Sequence, residues 1–264
     1  MSHLRAVTRI LSLLVYTAAS YASIRAGILR RGLRGSDRLR YFCARYQGWC
    51  QGVARIMGMR IRATGRVPDP PYLLVTNHVS YTDIIALGAT AAPIFVAKSE
   101  IARWPALGFL VREAGTVFLD RERIRHLPQV IEQVEQLCSS GLGLALFPEA
   151  TTGDGRTVQR FRPSLLEVAV RSGRGVRPAA LVYRTAPGCP PASERIAWVG
   201  TATLIGHIYP LLRLPWFEVD LVFGDREIHG DQRKQLAEIL QAEVARLLIE
   251  PQAPSAGRQG EPIP

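Results

Sequence analysis

In the segment Asn77-His78-Val79-Ser80-Tyr81-Thr82-Asp83 an imidazole and a carboxylate stand five residues apart. A neutral imidazole held in one tautomer by a carboxylate is a general base for an alcohol proton. Spacing alone leaves a second reading open, a loop histidine beside an aspartate that caps a helix. The pair directly follows the apolar run 71–76, which is bounded by proline and reads as a buried strand. Thr82-Asp83 then leads into Ile84-Ile85-Ala86-Leu87, which reads as the start of a helix. The pair is therefore expected at the C-terminal edge of a strand, where open α/β sheets place their chemistry.

Three more apolar runs lead into polar residues. Gly115-Thr116-Val117-Phe118-Leu119-Asp120-Arg121 brings Arg121 to a strand terminus. A rigid guanidinium there suits a phosphate or carboxylate, the alternative being a surface ion pair with Asp120 or Glu122. The run 144–147 ends in Pro148-Glu149-Ala150-Thr151-Thr152, and Pro178 opens the apolar run 178–182.

These four segments, in this order, resemble the glycerolipid acyltransferase family, typified by lysophosphatidate acyltransferases. Asn77, His78, Ser80 and Asp83 match the family's Asn-His-x-Ser-x-x-Asp motif. Gly115, Phe118 and Arg121 match Gly-x-x-Phe-x-x-Arg. Phe147, Pro148, Glu149 and Thr151 match Phe-Pro-Glu-Gly-Thr, and Pro178 matches a proline entering an apolar strand. The likeness covers about residues 55–225. It implies a membrane-associated O-acyltransferase that uses acyl-CoA or acyl carrier protein as co-substrate and needs no cofactor. His78 and Asp83 would be catalytic; Asn77, Ser80, Lys98, Arg121, Glu149, Ala150 and Thr151 would bind substrate. The implied acceptor is 1-acyl-sn-glycerol 3-phosphate, with lyso-ornithine lipid as the alternative. A non-catalytic membrane lipid-binding protein is the reading of another class. Ala150 replaces the usual glycine, loading a methyl onto a turn that wants positive φ. Thr152 stands where phosphate-handling members carry arginine. The segment from Thr151 to Gly155, with Phe161-Arg162-Pro163 after it, is similar to relatives that acylate lyso-ornithine lipid.

The elements that must position these residues follow from periodicity. Strands are expected at 59–64, 71–76, 93–97, 115–119, 142–147, 176–183, 195–200 and 216–223. Helices are expected at 82–90, 105–113, 124–139, 163–172, 204–213 and 231–249. Val130, Val134 and Leu137 mark one inward helix face, and Ile239, Val244 and Leu247 another. The alternation gives an α/β fold with a mostly parallel central sheet flanked by helices. The acyltransferase domain is expected over 61–250, with a disordered tail over 251–264.

Residues 1–66 hold thirteen arginines, no lysine and one acid, Asp37, a net +12. The whole chain is +11, so the remainder is −1. Fifteen uncharged residues, 10–24, fall short of the about 20 that a bilayer span wants. They suit a tilted, re-entrant or interfacial anchor, or a signal peptide whose export the following arginines would retard. In the helix expected over 37–60, Leu39, Phe42, Tyr46, Trp49, Val53 and Met57 recur on one side, with Arg40, Gln47, Gln51 and Arg55 opposite. That pattern suits a helix in the lipid headgroup layer, or one packed on a core with its polar side in water. Residues 1–60 are read as membrane-anchoring amphipathic helices at the cytoplasmic face of a bacterial inner membrane, with membrane lipids as partner. Arg103, Arg112, Arg123 and Arg125 are candidates for docking an acyl carrier protein.

Other classes find little support. The four cysteines and five histidines show no metal spacing, so no metal is expected. The amphipathic basic quarter contains no recognised nucleic-acid module, which argues against nucleic acid. No Gly-x-Gly-x-x-Gly follows a strand, which excludes a dinucleotide-binding dehydrogenase.

Overall fold

A computed structural model of the chain describes residues 2–98, 107–119 and 127–249. Its centre is a sheet of seven strands in the order β1-β7-β6-β2-β5-β3-β4. The strands are β1 (Met59–Thr64), β2 (Leu73–Thr76), β3 (Ile94–Lys98), β4 (Val117–Leu119), β5 (Leu144–Leu146), β6 (Val176–Thr185) and β7 (Phe217–Phe223). The five strands from β6 to β4 are mutually parallel, β7 runs antiparallel to β6, and β1 runs parallel to β7. Every residue of β2 and β5 is buried, as strands covered on both faces require.

Side chains alternate between the two cores. Leu73 and Val75 face a core built with α5 (Leu127–Ser139), α6 (Glu167–Ser172) and α9 (Arg233–Ile249). Leu74 faces the other, formed with α2 (Gly35–Met57), α3 (Thr82–Thr90) and α8 (Leu204–Leu212). α4 (Leu107–Glu113) precedes β4.

The strand expected over 195–200 is absent. Its place is taken by the single-turn helix α7 (Ala192–Arg195) and an irregular stretch. Ile196 and Ala197 are buried by packing rather than by strand pairing, and the Trp198 N–H donates to the Val79 carbonyl. Ile239 is exposed, not inward. The buried stripe of α9 is Leu236, Leu240, Val244 and Leu247, and Ile239 lies one residue, about 100° of helix rotation, from Leu240. The tail 251–264 lies outside the described residues.

The N-terminal quarter also differs from its sequence reading. α1 (Ser2–Arg31) is one continuous helix, long and apolar enough to cross a membrane. The apolar side of α2 faces protein rather than lipid: Phe42, Val53 and Met57 are buried, and Tyr46 stacks between Phe42 and Trp49. On the other side, Gln47 donates to the carbonyls of Ala89 and Thr90, and Gln51 to that of Ala89, covering the C-terminus of α3. Gly58, in the left-handed region at φ 75°, ends α2 so that β1 starts at the next residue.

Part of the arginine excess works inside the fold. Arg9 donates to the carbonyls of Leu212 (3.1 Å), Leu214 (2.6 Å) and Pro215 (2.9 Å), and Arg5 to that of Arg213 (3.0 Å). These carbonyls lie at and just beyond the C-terminus of α8, where a cation is favoured. Arg25 and Arg38 converge on Glu113 at 3.2 and 2.9 Å. Arg9→Ala is expected to lower unfolding stability by about 1–3 kcal/mol, while Arg30→Ala, exposed near the C-terminus of helix α1, changes it by less than about 0.5 kcal/mol. Chemical unfolding of the two variants checks this, and equal effects would refute a docking role for Arg9.

Candidate active site

β2 ends at Thr76, and the chain turns through residues 77–81 into α3. The Asn77 amide clamps that exit. Its Nδ2 donates to the Leu181 carbonyl (3.0 Å) and its Oδ1 accepts the Leu181 N–H (2.8 Å). β6 continues past the end of β2, so this clamp ties the turn to the overhang.

Asp83 lies in the first turn of α3 and is wholly buried. Its Oδ2 accepts the N–H groups of Val79 (2.7 Å) and Ser80 (3.0 Å) and lies 2.7 Å from His78 Nδ1. Its Oδ1 accepts the Tyr183 hydroxyl at 2.7 Å. An oxygen that already accepts two amide protons carries none of its own, so Nδ1 is the donor in the third bond. The lone pair of His78 then sits on Nε2, as a general base needs. The imidazole keeps 20% of its exposure while the Asp83 side chain keeps none, so the dyad is open on the histidine side alone.

Ring stacking fixes the imidazole plane. His78 lies 4.0 Å from the Phe147 ring at 18°, and Phe147 in turn stacks on Phe95 at 6.0 Å. Residues 148–153 close over the same turn. The Gly153 N–H donates to the His78 carbonyl (2.7 Å), and the Thr152 hydroxyl donates to that of Trp198. Ala150 takes φ 66°, the left-handed turn foreseen for it. The added methyl costs about 1–2 kcal/mol there. Its burial returns up to about 0.8 kcal/mol, which keeps the net cost small.

Glu149 is buried, and neither carboxyl oxygen has a well-formed hydrogen bond. The amides of His78 and Gln159 are near enough to favour the anion but do not saturate it. Burial, helped by the charges of Asp83 and Asp154, pushes the carboxyl up to about 8.

Of the residues expected to bind substrate, Asn77 and Ser80 have other work. Both are buried: the Asn77 amide is spent on Leu181, and Ser80 gives its N–H to Asp83 and its carbonyl to the Asp83 amide at the start of α3. Glu149 and Ala150 are buried in the loop beside His78, and Thr151 is exposed on it. Lys98 ends β3, but its side chain and all of Arg121 lie outside the described residues, as do Arg103, Arg123 and Arg125. Tyr183 was not foreseen. It falls on an apolar strand, and its partner Asp83 is 100 residues away in sequence. Among the described residues no three His, Cys, Asp or Glu side chains group as metal ligands.

The sequence model of the Acyltransferase family matches residues 59–182, which span both site loops. A lyso-ornithine lipid O-acyltransferase of Rhizobium meliloti is 32% identical over 233 residues, 82% of this chain and 79% of that protein. One from Pseudomonas aeruginosa is 33% identical over 215 residues, 81% of each. A 1-acyl-sn-glycerol-3-phosphate acyltransferase of Neisseria meningitidis is 29% identical over 202 residues, 76% of this chain and 79% of that one. The crystal structure of the 1-acyl-sn-glycerophosphate acyltransferase PlsC from Thermotoga maritima has the same fold. Its TM-score is 0.63 at 20% identity, over 94% of this chain and all of that one.

Because the Glu149 carboxyl has a higher pKa folded than unfolded, it favours the fold at low pH. That contribution is lost as the pH rises from its ordinary 4.5 to about 8. Glu149→Gln removes the titration. Relative to this variant, the parent is expected to lose roughly 2–5 kcal/mol of unfolding stability between pH 5 and pH 8. Urea unfolding of both proteins at the two pH values checks it, and parallel pH dependences would refute it.

Proposed function

This chain belongs to the acyltransferase family, and from that premise we propose that His78 and Asp83 transfer a fatty acyl group from an acyl thioester to a lysolipid hydroxyl. The 2.7 Å contact between His78 Nδ1 and a carboxylate with no solvent exposure carries the reading. In the proposed reaction His78 Nε2 takes the hydroxyl proton as that oxygen attacks the thioester carbonyl. Asp83 stabilises the imidazolium that forms. The tetrahedral intermediate collapses with loss of the C–S bond, and the proton passes from Nε2 to the departing thiolate. A thioester is already activated, so no acyl-enzyme is required. Ser80 is unsuited to forming one, being buried beneath the turn.

Lyso-ornithine lipid is the proposed acceptor, on three supports. Thr152, where phosphate-handling members carry arginine, spends its hydroxyl on Trp198. The charges of Asp83 and Asp154 both reach the Glu149 carboxyl, and with threonine at position 152 no cation at that position offsets them. A phosphate dianion beside them is disfavoured, whereas the zwitterionic ornithine headgroup offers an amine. The relatives from R. meliloti and P. aeruginosa carry that activity in their names. The pattern of Gly115, Phe118 and Arg121 keeps 1-acyl-sn-glycerol 3-phosphate as the second reading. The donor is acyl-CoA or acyl carrier protein.

The proposed partner surface is the bilayer, met by α1. Leu4, Val7, Leu11, Leu14 and Val15 are exposed along one side of this helix, while Ala6, Ile10, Leu13 and Tyr16 pack on the domain. A helix fastened along its length to the domain suits burial in one leaflet rather than a crossing. The exposed Arg30, Arg31 and Arg34 at its far end suit the anionic cytoplasmic face of the inner membrane.

With one labelled acyl thioester, lyso-ornithine lipid is expected to be used at least about tenfold better in kcat/KM than 1-acyl-sn-glycerol 3-phosphate. The reverse ratio would exchange the two acceptor readings. His78→Ala is expected to cut turnover about 10²–10⁴-fold, and turnover unchanged by it would refute the mechanism. Deleting residues 1–60 would not test the membrane surface, because it would remove Ala6, Val53, Met57 and Met59 from the core. The triple substitution Leu11→Gln, Leu14→Gln and Val15→Thr leaves that core intact. It is expected to abolish flotation with anionic vesicles at unchanged circular dichroism, and undiminished flotation would refute the surface.

A further inference from the structure

We infer that Tyr183 is a positioning residue for the reaction, its hydroxyl holding the second oxygen of Asp83 and, through that carboxylate, the orientation of His78. The inference rests on the reading of His78 and Asp83 proposed above.

The two oxygens of Asp83 are held unequally. Oδ2 has three nitrogen donors: the amides of Val79 and Ser80 and the ring of His78. Oδ1 has the Tyr183 hydroxyl at 2.7 Å. The side chain has no solvent exposure, so water cannot replace that donor. Contacts to Oδ2 alone fix a point, and the carboxylate plane could still swing about it. The bond to Oδ1 fixes the plane, and with it the direction from which Oδ2 meets the imidazole.

The direction of the phenol's own proton is also set. Thr82 Oγ1 lies 3.1 Å from the Tyr183 oxygen and donates to it, leaving the phenolic proton for Asp83. Thr82 and Asp83 are adjacent at the start of α3, so the path leaves that turn, crosses to β6 and returns to it. Burial, then the nearby Asp83 charge, raises the phenol well above its ordinary pKa, so it stays a donor at working pH.

The Asn77 clamp gives this arrangement its register. Asn77 binds both backbone groups of Leu181, and Tyr183 is two residues further along β6, on the same face of the strand. The Tyr183 ring rests beside Phe217 of β7, 6.5 Å between centroids. A motif residue spent on the backbone thus brings a residue outside every motif onto the catalytic carboxylate.

Tyr183→Phe keeps the ring and removes the donor. It is expected to lower kcat about ten- to a hundredfold, the loss of one hydrogen bond to a charged group, with the lysolipid KM within about twofold. Thr82→Val, which removes the outer bond and leaves Tyr183 in place, is expected to lower kcat a few-fold. The deciding measurement is a double-mutant cycle with Asp83→Asn, with thermal melts confirming that each variant is folded. If Tyr183 acts through the carboxylate, adding Tyr183→Phe to Asp83→Asn costs no further turnover. Multiplying effects, or Tyr183→Phe within twofold of the parent while Asp83→Asn is impaired, would overturn the inference. Full turnover in Asp83→Asn would instead overturn the underlying mechanism. Should Tyr183→Phe fail to fold, Thr82→Val in the same cycle decides, because its loss must likewise vanish in Asp83→Asn.

Discussion

A fully buried carboxylate must be surrounded by donors or it destabilises the fold that buries it. Asp83, in the first turn of α3, satisfies this with two backbone amides and an imidazole from the turn before it and a phenol from β6. The elements that meet at the site can be understood as the means of bringing those donors together. β2 ends where its last residue can hand over to the turn, α3 starts where its first turn places Asp83 under residues 78–80, and β6 runs on past β2 to deliver Tyr183. Change the register of any one and a charge is left bare. This constraint ties the buried charge at the candidate site to the sheet topology.

A second carboxyl lies close by under the opposite rule. Glu149 sits on a loop joined to the same turn, yet its oxygens are left without well-formed bonds and its pKa is driven upward. The two carboxyl groups thus differ sharply in surroundings, one saturated with donors and the other left without well-formed bonds. The loop that carries Glu149 already bears the methyl of Ala150 in a left-handed turn. Local cost gathered at one loop while the rest of the core is well packed is the pattern expected of a binding site.

How much of this was legible in the sequence depended on the range of the interaction. β1 and α3 begin and end where their periodicity placed them, because local patterning decides such elements. The stretch 195–200 was misread because apolar residues buried against a loop look the same as those buried in a sheet. The one-sided helix α2 was open to two readings for the same reason, since hydrophobic spacing gives a face to cover and does not say whether lipid or protein covers it. Motif matching picked out Asn77 and Ser80 beside His78 and Asp83 but could not foretell that the Asn77 amide binds Leu181 and the Ser80 N–H binds Asp83, because sequence proximity does not reveal a group's partners. Tyr183 could not be seen at all: nothing local marks a tyrosine on an apolar strand as the partner of a residue 100 positions earlier.

The charge asymmetry shows the same limit from the other side. A net +12 over the first 66 residues reads as attraction to an anionic surface, yet Arg5 and Arg9 hold backbone carbonyls near the end of α8, and Arg25 and Arg38 share Glu113. Those four fasten α1 and α2 to the domain, and others pair locally, as Arg60 and Arg62 do with Glu218 and Arg66 with Asp69, so only part of the charge acts at longer range. The two uses are complementary. A helix lying in one leaflet must be held firmly by its inner side if its outer side is to position an active site, and arginine does both because its stem packs while its guanidinium bonds. The attachment of α1 and α2 to the domain therefore depends on arginines whose guanidiniums are engaged with protein groups.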